Sequence, residues 1–553
     1  MNNEESKKLC YDLLKASNAD EVVDLLRKKN YWDDESVWND YGDNPDNFAT
    51  VNNQGDSLFA LTEKVTNSID AVLMGKCFEN GIDPKDLERA PNSILEAISL
   101  FIEKDGFKFK KLFKDLLEPR NDREKDKVKG MQLYWDNKFS LKVAENIAIT
   151  ATGDHDRHPN IAISDLGEGQ TPENLGQTIL SLHKANKKNI SFTQGKWNQG
   201  GTGAILHCGT DSGHQVSLVI SKRNPKILEK FNHLKTALAD NWSFTIIRRY
   251  KPKSDKPNSA SKLVYLAPNK FENDQRNYPL YFSSKTFPIF NTFQNGKDMP
   301  FTKEVEFGTC INLYEYKVNT GHVGFSKDKG LYRKIELQMP KLPLPVRLWE
   351  AREHHYSDKS QSYSIKGFCN VHDLDKFSEK NQNLELIEPD RDLMTVESYQ
   401  IEYQIFCFKK GGVYKNYKGN HGVLWCVNGQ THAIQTNSFF NSEKLAFDKI
   451  KSDLLIIIDC TGITGADRED VFKSSRDRLN VDNKIVQEIK KRLIEQLSEN
   501  QGLLRVIEER VKDSAKNDPE EDEELIKDMS DLLSELEDKD RDLLPTGLKL
   551  KRK

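Results

Sequence analysis

Residues 63–70 read Glu-Lys-Val-Thr-Asn-Ser-Ile-Asp, and they constrain the fold more than any other stretch of the chain. Glu63 and Asn67 are four apart, so on a helix they share one face, one turn above the other, and Asp70 follows three residues later on the same side. A carboxylate stacked on a carboxamide suits one job: the Asn67 oxygen can ligate Mg²⁺, and Glu63 can orient and deprotonate a water. Mg²⁺ takes few protein ligands and completes its octahedron with water and phosphate oxygens, so a single Asn suffices. Polar residues at this spacing also make an ordinary solvated helix face. What separates the two readings is the order of motifs that follows.

The stretch Asn160-Ile-Ala-Ile-Ser-Asp165-Leu-Gly167-Glu-Gly169-Gln-Thr-Pro172 reads as a short apolar strand running into a glycine-punctuated turn. The strand delivers Asp165 to its end, where a buried carboxylate would accept from an exocyclic amine such as that of adenine. Gly167 and Gly169 allow positive φ and close approach of backbone to a flat ligand; an ordinary Asp-x-Gly turn has the same pattern. Next comes Gln194-Gly-Lys-Trp-Asn198-Gln-Gly200-Gly201-Thr202-Gly203-Ala-Ile-Leu, a flexible loop opening a helix, whose exposed amides would make an anion site. Last, Phe307-Gly-Thr309-Cys-Ile-Asn-Leu313 is a turn entering a strand with a hydroxyl at its start.

Taken in this order, the four motifs resemble the Bergerat ATP-binding fold of the GHKL superfamily, named for gyrase, the heat-shock-ninety chaperones, histidine kinases and MutL. Glu63, Asn67 and Asp70 match its N-box, Asp165, Gly167 and Gly169 its Asp-x-Gly-x-Gly box, Asn198 to Gly203 its glycine-rich lid, and Thr309 the threonine that backs the adenine-binding Asp. Asn198 stands where many members have Gly. The resemblance implies Glu63 as general base, Asn67 as Mg²⁺ ligand, Asp165 as adenine reader, and the lid amides of Asn198, Gly200, Gly201, Thr202 and Gly203 as phosphate clamp, with ATP and Mg²⁺ as cofactors. It covers about half the chain, from Glu63 to Thr309, with insertions before Asp165 and after the lid.

At 553 residues the chain should hold more than one domain. The fold class expected is α/β: an N-terminal Bergerat-type two-layer sandwich, a mixed sheet with helices on one face, then a transducer-like α/β domain and a helical C-terminal tail. The expected boundaries are 1–50 for a helical strap, 51–325 for the ATP-binding domain, 326–481 for the transducer-like domain and 482–553 for the tail. Residues 1–30 show two apolar helical patterns with a cap near Asn18, and Trp32, Trp38, Tyr41 and Phe48 then punctuate the strap. Further helices are expected at Ile94–Ile102, Phe107–Leu117 and Ile227–Leu238, and strands at Gln215–Ser221 and Trp242–Tyr250. The 251–302 stretch reads as an irregular insertion. In the second domain, Tyr363–Val371, Val423–Val427 and Asp453–Asp459 read as strands and Ser442–Lys451 as a helix. Ile485, Ile489, Leu493 and Leu497 recur at helical spacing in the tail, which suits a bundle or a dimerising stalk. Further amphipathic runs begin at Leu503 and span Glu523–Leu544, before a basic end at 548–553.

A transducer domain in such relatives supplies a cation to the γ-phosphate. Two segments could do so: Val427-Asn-Gly-Gln-Thr431, which resembles a turn of MutL-like transducers, and the basic loop after the Asp453–Asp459 strand, with Lys473, Arg476 and Arg478 as its cations. Arg476 and Arg478 could equally pair with neighbouring acids such as Asp470 and Asp477.

With 30% charged residues and mean hydropathy −0.70, no apolar run approaches the roughly 18–20 residues of a bilayer span. The opening residues carry no apolar signal core. The eight cysteines are scattered without Cys-x-x-Cys, which favours reduced thiols over structural zinc. A cytoplasmic protein is expected, with no membrane partner. Net charge −4 exerts no global pull on nucleic acid.

Trp38-Asn-Asp-Tyr-Gly42, Asn52-Asn-Gln54 and the lid sequence look like those of stand-alone bacterial GHKL ATPases akin to MORC and heat-shock-ninety-like proteins, a group linked to antiphage defence. The function implied is Mg²⁺-dependent ATP hydrolysis gating homodimerisation, with DNA or a nuclease effector as partner. A chaperone of heat-shock-ninety type is the alternative. Histidine-kinase phosphotransfer fits poorly, since no His precedes Glu63.

Overall fold

Asn2 and Asn18 start the first two helices, α1 (Asn3–Lys15) and α2 (Ala19–Lys28). Asn2 accepts from the Glu5 N–H at 2.9 Å and Asn18 from the Glu21 N–H at 3.0 Å, satisfying orphan donors of each first turn. The computed structural model describes residues 1–48, 56–102, 137–154, 157–182, 187, 189–195, 203–251, 261–270, 277–290, 303–318, 330–352, 361–376, 383–410, 419–473 and 478–517. The expected helix at Phe107–Leu117, the run at Glu523–Leu544 and the basic end at 548–553 lie outside these residues.

Helix α3 (Ser57–Glu79) opens on Asp56, whose carboxylate accepts from the Leu58 N–H at 2.6 Å. It is buried on nearly every side, with Thr62, Lys64, Thr66, Ser68 and Asp70 buried among its apolar residues. A helix buried all round that carries polar groups must satisfy them against its neighbours, so this one is built to meet something polar. Shorter helices follow at α4 (Ile94–Phe101), α5 (Asn137–Val143) and α6 (Pro225–Lys230).

Among the described residues the first sheet has ten strands, flanked by a two-stranded ribbon. In chain order they are β1 (Trp38–Asp40), β2 (Ile147–Thr152), β3 (Asn160–Asp165), β4 (Val216–Lys222), β5 (Asn241–Tyr250), β6 (Lys262–Leu266), the ribbon β7 (Asn269–Lys270) and β8 (Asn277–Tyr278), then β9 (Leu280–Ser283), β10 (Gly308–Leu313), β11 (Val346–Glu350) and β12 (Gln361–Ile365). The spatial order is β1-β6-β5-β4-β10-β3-β2-β11-β12, with β9 on β5. The β2–β11 pair is parallel, so the sheet is mixed. Period-two alternation sorts its side chains. Ile147, Ile149, Ile161 and Ile163 face α3 and α4, while Ala148, Ala162, Leu218, Ile220 and Phe244 face α1 and α2. The N-terminal helix pair thus covers the face opposite α3.

Several local expectations change. The 251–302 stretch contributes β6, which pairs with both β5 and β1, and also β7 to β9. Its Pro/Asn/Ser-rich composition hides the apolar run Leu263-Val-Tyr-Leu266. The strand expected at Tyr363–Val371 stops at Ile365, because Gly367 turns the chain at φ +86° and helix α8 (Phe368–Lys376) begins. Ser442–Lys451 forms turns that bury Leu445, Phe447 and Ile450 instead of a helix. The helix near Ile227 ends at Lys230.

Helix α7 (Leu331–Gln338), which precedes α8, joins two cores. Leu331, Tyr332 and Ile335 pack into the first, while Leu337 packs with Phe368 against the second sheet. That sheet comprises β13 (Arg391–Val396), β14 (Tyr399–Cys407), β15 (His421–Val427), β16 (Gln430–Thr436) and β17 (Leu454–Asp459) in the order β13-β14-β17-β15-β16. The first sheet therefore takes in strands on both sides of residue 325, and the second begins near Arg391.

A short helix, α9 (Gly465–Val471), leads to α10 (Lys484–Ser498) and α11 (Gln501–Asn517), which lie on the second sheet. Ile485, Ile489, Leu493 and Leu497, the residues expected to mark a bundle or stalk, are buried against that sheet together with Leu503, Val506 and Ile507. Arg510 on α11 fastens this layer, donating to Asp453 Oδ2 at 2.7 Å, to the Lys449 carbonyl at 3.0 Å and to the Phe408 carbonyl at 2.7 Å. All eight cysteines are buried free thiols. Among the described residues no helix is long and apolar enough to cross a membrane.

Candidate functional site

The turn after β3 is knitted to α3 by a small set of bonds. Ser68 donates its hydroxyl to Asp165 Oδ2 at 2.8 Å, the Gly167 N–H donates to Asp165 Oδ1 at 2.9 Å, and the Glu168 N–H donates to the Ala71 carbonyl at 3.1 Å. The glycines serve this fit. A Cβ on Gly167 would lie 2.5 Å from the Ala71 Cβ, and one on Gly169, at φ +61°, would lie 1.8 Å from the Lys222 carbonyl. Both glycines are thus required by packing of protein on protein, before any ligand arrives.

Asp165 is 4% exposed. Burial pushes its carboxyl up to about 7, against the opposing pull of the Ser68 and Gly167 hydrogen bonds. Each of its oxygens accepts one of these bonds, and each keeps a lone pair for a ligand N–H. Across the sheet Thr309 is the register partner of Asp165 on one side and of Ser221 on the other, with the two hydroxyls 2.9 Å apart. Asp165 and Thr309 form the floor of a cleft of about 440 Å³, within the usual range for a small-molecule site.

Of the residues expected from sequence, Asn67, Asp165, Gly169 and Thr309 line this cleft. Glu63 stands half-buried on α3, one turn before Asn67. Gly167 lies under the cleft wall against Ala71. Asp70 is fully buried and serves the following loop: its Oδ1 accepts from the Gln194 N–H at 2.8 Å, and its Oδ2 from the Gly195 N–H at 3.0 Å and from Lys187 Nζ at 3.0 Å. Gly203 begins a 3₁₀ turn, Ala204–His207, in place of the expected helix. Asn198, Gly200, Gly201 and Thr202 lie outside the described residues, and so does Arg476.

Sequence reasoning missed several side chains of the cleft. Ser68 is one, and Lys187, whose ammonium touches Asn67 Oδ1 at 3.3 Å, is another. Lys64 lines the inner wall, where burial lowers its amine to about 8. At the mouth Arg223 pairs with Glu168 at 2.7 Å, donates to the Gly169 carbonyl at 3.0 Å and lies 5.3 Å from the Phe78 ring. Only Ser68 left a local signal: it is four residues after Lys64 and one after Asn67, on the buried side of the motif helix.

The second sheet reaches this site through the turn between β15 and β16. Gln194 donates its side-chain amide to the Asn428 carbonyl, and Thr66 donates to Gln430 Oε1 at 3.5 Å. Behind the turn, Lys341 bridges Glu402 at 3.1 Å and Asp459 at 2.9 Å. Lys473 and Arg478 sit elsewhere, exposed on the two sides of a hairpin closed by the Lys473 N–H to Arg478 carbonyl bond at 2.9 Å, and neither lines the cleft.

No family model matches the chain. No curated protein matches it either. Among solved structures, the B-subunit of the DNA gyrase from Myxococcus xanthus is similar at 10% identity and a TM-score of 0.32, over 66% of this chain and 89% of that one.

Proposed function

We propose that the chain binds and hydrolyses ATP with Mg²⁺ in the cleft between α3 and the β3 turn. One observation carries this reading: a buried carboxyl, Asp165, is held at the end of a strand by Ser68 from the very helix that bears Glu63 and Asn67. That joint fixes the distance between a base-recognising acceptor and a helix face suited to phosphate chemistry. The motif order resembling the GHKL ATPases supports the same reading.

The donor chemistry fits the cofactors. Asn67 offers a neutral amide oxygen, the kind of hard ligand Mg²⁺ accepts alongside phosphates and water. Bound Mg²⁺ would neutralise charge on the transferring phosphoryl group. Asp165 accepts from the exocyclic amine of adenine, Thr309 and Ser221 support that floor, and Gly169 lets the turn pack against Lys222. Glu63 holds and deprotonates the attacking water. Asn198 to Gly203 contribute amides to the phosphates, Asp70 anchors the root of that loop, and Lys473, Arg476 or Arg478 meets the γ-phosphate after the second domain moves.

Nucleotide-dependent homodimerisation belongs to the same proposal. A place in antiphage defence, with DNA or a nuclease as partner, rests on the sequence resemblance alone. The test is binding of a non-hydrolysable ATP analogue with Mg²⁺, together with mass in solution. The expected result is saturable binding and a nucleotide-dependent doubling of mass in wild type, with the doubling lost in Asn67→Ala. A wild-type protein that binds no adenine nucleotide overturns the reading.

A further inference from the structure

The cleft already contains a cation where the proposed metal would bind. Lys187 Nζ lies 3.3 Å from Asn67 Oδ1 and 3.0 Å from Asp70 Oδ2. Its side chain is 23% exposed against 0% for Asp70, so the ammonium sits at the boundary between the buried carboxylate and the open cleft. Asp70 has backbone donors besides the ammonium: the Gln194 and Gly195 amides, at 2.8 and 3.0 Å, each reach one of its two carboxylate oxygens. A side chain at position 195 would crowd this junction, since its Cβ would stand 3.2 Å from Asp70 Oδ2, 3.3 Å from Asn67 Oδ1 and 4.0 Å from Lys187 Nζ.

We propose that Lys187 is a built-in competitor of Mg²⁺: it holds the Asn67 carbonyl in the nucleotide-free protein and transfers to the phosphates when nucleotide enters. The proposal rests on the nucleotide-binding reading of the same cleft. A metal at Asn67 Oδ1 and an ammonium on the same oxygen are two like charges a few ångströms apart in a partly desolvated site, so only one stays. The displaced ammonium exchanges the Asn67 carbonyl and the single Asp70 carboxylate oxygen for a triphosphate beside it, which carries several anionic oxygens. Lys187 therefore supplies part of the positive charge that the metal would otherwise supply alone. Nucleotide binding becomes tolerant of metal depletion, while hydrolysis keeps its metal requirement. Lys187 is here a binding residue that sets the metal dependence of affinity.

The experiment measures the dissociation constant of a non-hydrolysable ATP analogue by calorimetry, in EDTA and in excess Mg²⁺, for wild type, Lys187→Gln and Lys187→Arg. Wild type should bind in EDTA within a few-fold of its affinity in Mg²⁺. Lys187→Gln should lose at least about tenfold in EDTA and less in Mg²⁺, where the metal carries part of the charge that the phosphates need. Lys187→Arg, which keeps the charge, should follow wild type, and thermal melting of all three shows whether each is folded. An EDTA-to-Mg²⁺ ratio identical in wild type and Lys187→Gln overturns the role of Lys187 and leaves the nucleotide site standing. Wild type binding no nucleotide in either buffer overturns both.

Discussion

Ser68 donates to Asp165 across 2.8 Å, and the two residues are 97 positions apart in the chain. The bond joins the helix carrying Glu63 and Asn67 to the strand end that forms the cleft floor. Ser68→Ala removes the donor and should weaken adenine-nucleotide affinity by a few-fold to tenfold, corresponding to about 0.5–1.5 kcal/mol for one hydrogen bond. Calorimetric titration against ATP analogue checks this, and an unchanged affinity would separate the helix from base recognition.

Glu63→Ala should retain nucleotide binding and lose hydrolysis by about 10²–10⁴-fold, the usual contribution of a positioned general base. Phosphate release under single-turnover conditions is the measurement. A wild-type rate in the variant would remove Glu63 from the chemistry.

Asp165 makes stability depend on pH. Burial raises its carboxyl from 3.8 to about 7 in the folded state, so the folded protein binds the proton more tightly than the unfolded chain between those values. This stabilising contribution is complete below about 4 and is lost as pH rises through about 7. Asp165→Asn, neutral at every pH, should therefore melt higher than wild type at pH 8 by several degrees, with the gap closing towards pH 5. It should also lose adenine-nucleotide binding. Parallel melting curves at the two pH values would show a constant offset if Asp165 were an ordinary surface carboxylate.

Gly169→Ala places a methyl 1.8 Å from the Lys222 carbonyl at a φ of +61°, and backbone has to shift to admit it. The expected cost is at least about 3 kcal/mol in denaturant unfolding. Gly81→Ala is the control: φ is +75°, but nothing lies within 4 Å, so only the left-handed penalty of about 1–2 kcal/mol applies. Equal losses in the two variants would show that the turn can relax around the methyl.

Gln194 links Asp70 to the second sheet, since its backbone N–H is held by the carboxylate and its side chain reaches the Asn428 carbonyl. Gln194→Ala should leave nucleotide affinity within a few-fold and abolish nucleotide-induced hydrogen-exchange protection in residues 427–436. Protection identical to wild type would assign the coupling to another contact, such as Thr66 with Gln430.

The parts of the site that sequence made legible are those set by local chemistry. A strand ending in Asp165 before two spaced glycines, and a helix with Glu63 and Asn67 one turn apart, announce themselves through period and turn type. Lys187 and Gln194 do not, because their roles come from pairing with residues 117 and 234 positions away. Strand β6 was hidden by the composition around it. The tail helices were legible as helices, but their partner was not: the same apolar stripe serves a stalk or a sheet, and Ile489 and Leu493 lie on a sheet. Both the basic loop bearing Lys473 and Arg478 and the turn at 427–431 stand out in the sequence, but only pairing across the fold shows that the turn, which has no cation, is the one that touches Gln194.

Strand β10 lies between β3 and β4 although it follows β4 in the chain by about ninety residues. During synthesis at roughly 5–20 residues per second, β3 and β4 are complete for about 5–20 s before their shared partner is made. Each then presents an unpaired inner edge, the kind that recruits strands from other molecules. The nascent chain is thus most vulnerable to aggregation in this interval, and most in need of a chaperone. Thr309 and Asp165 become neighbours only when β10 closes the gap, so a chain cut short before Thr309 lacks half the cleft floor, and nucleotide cannot protect it.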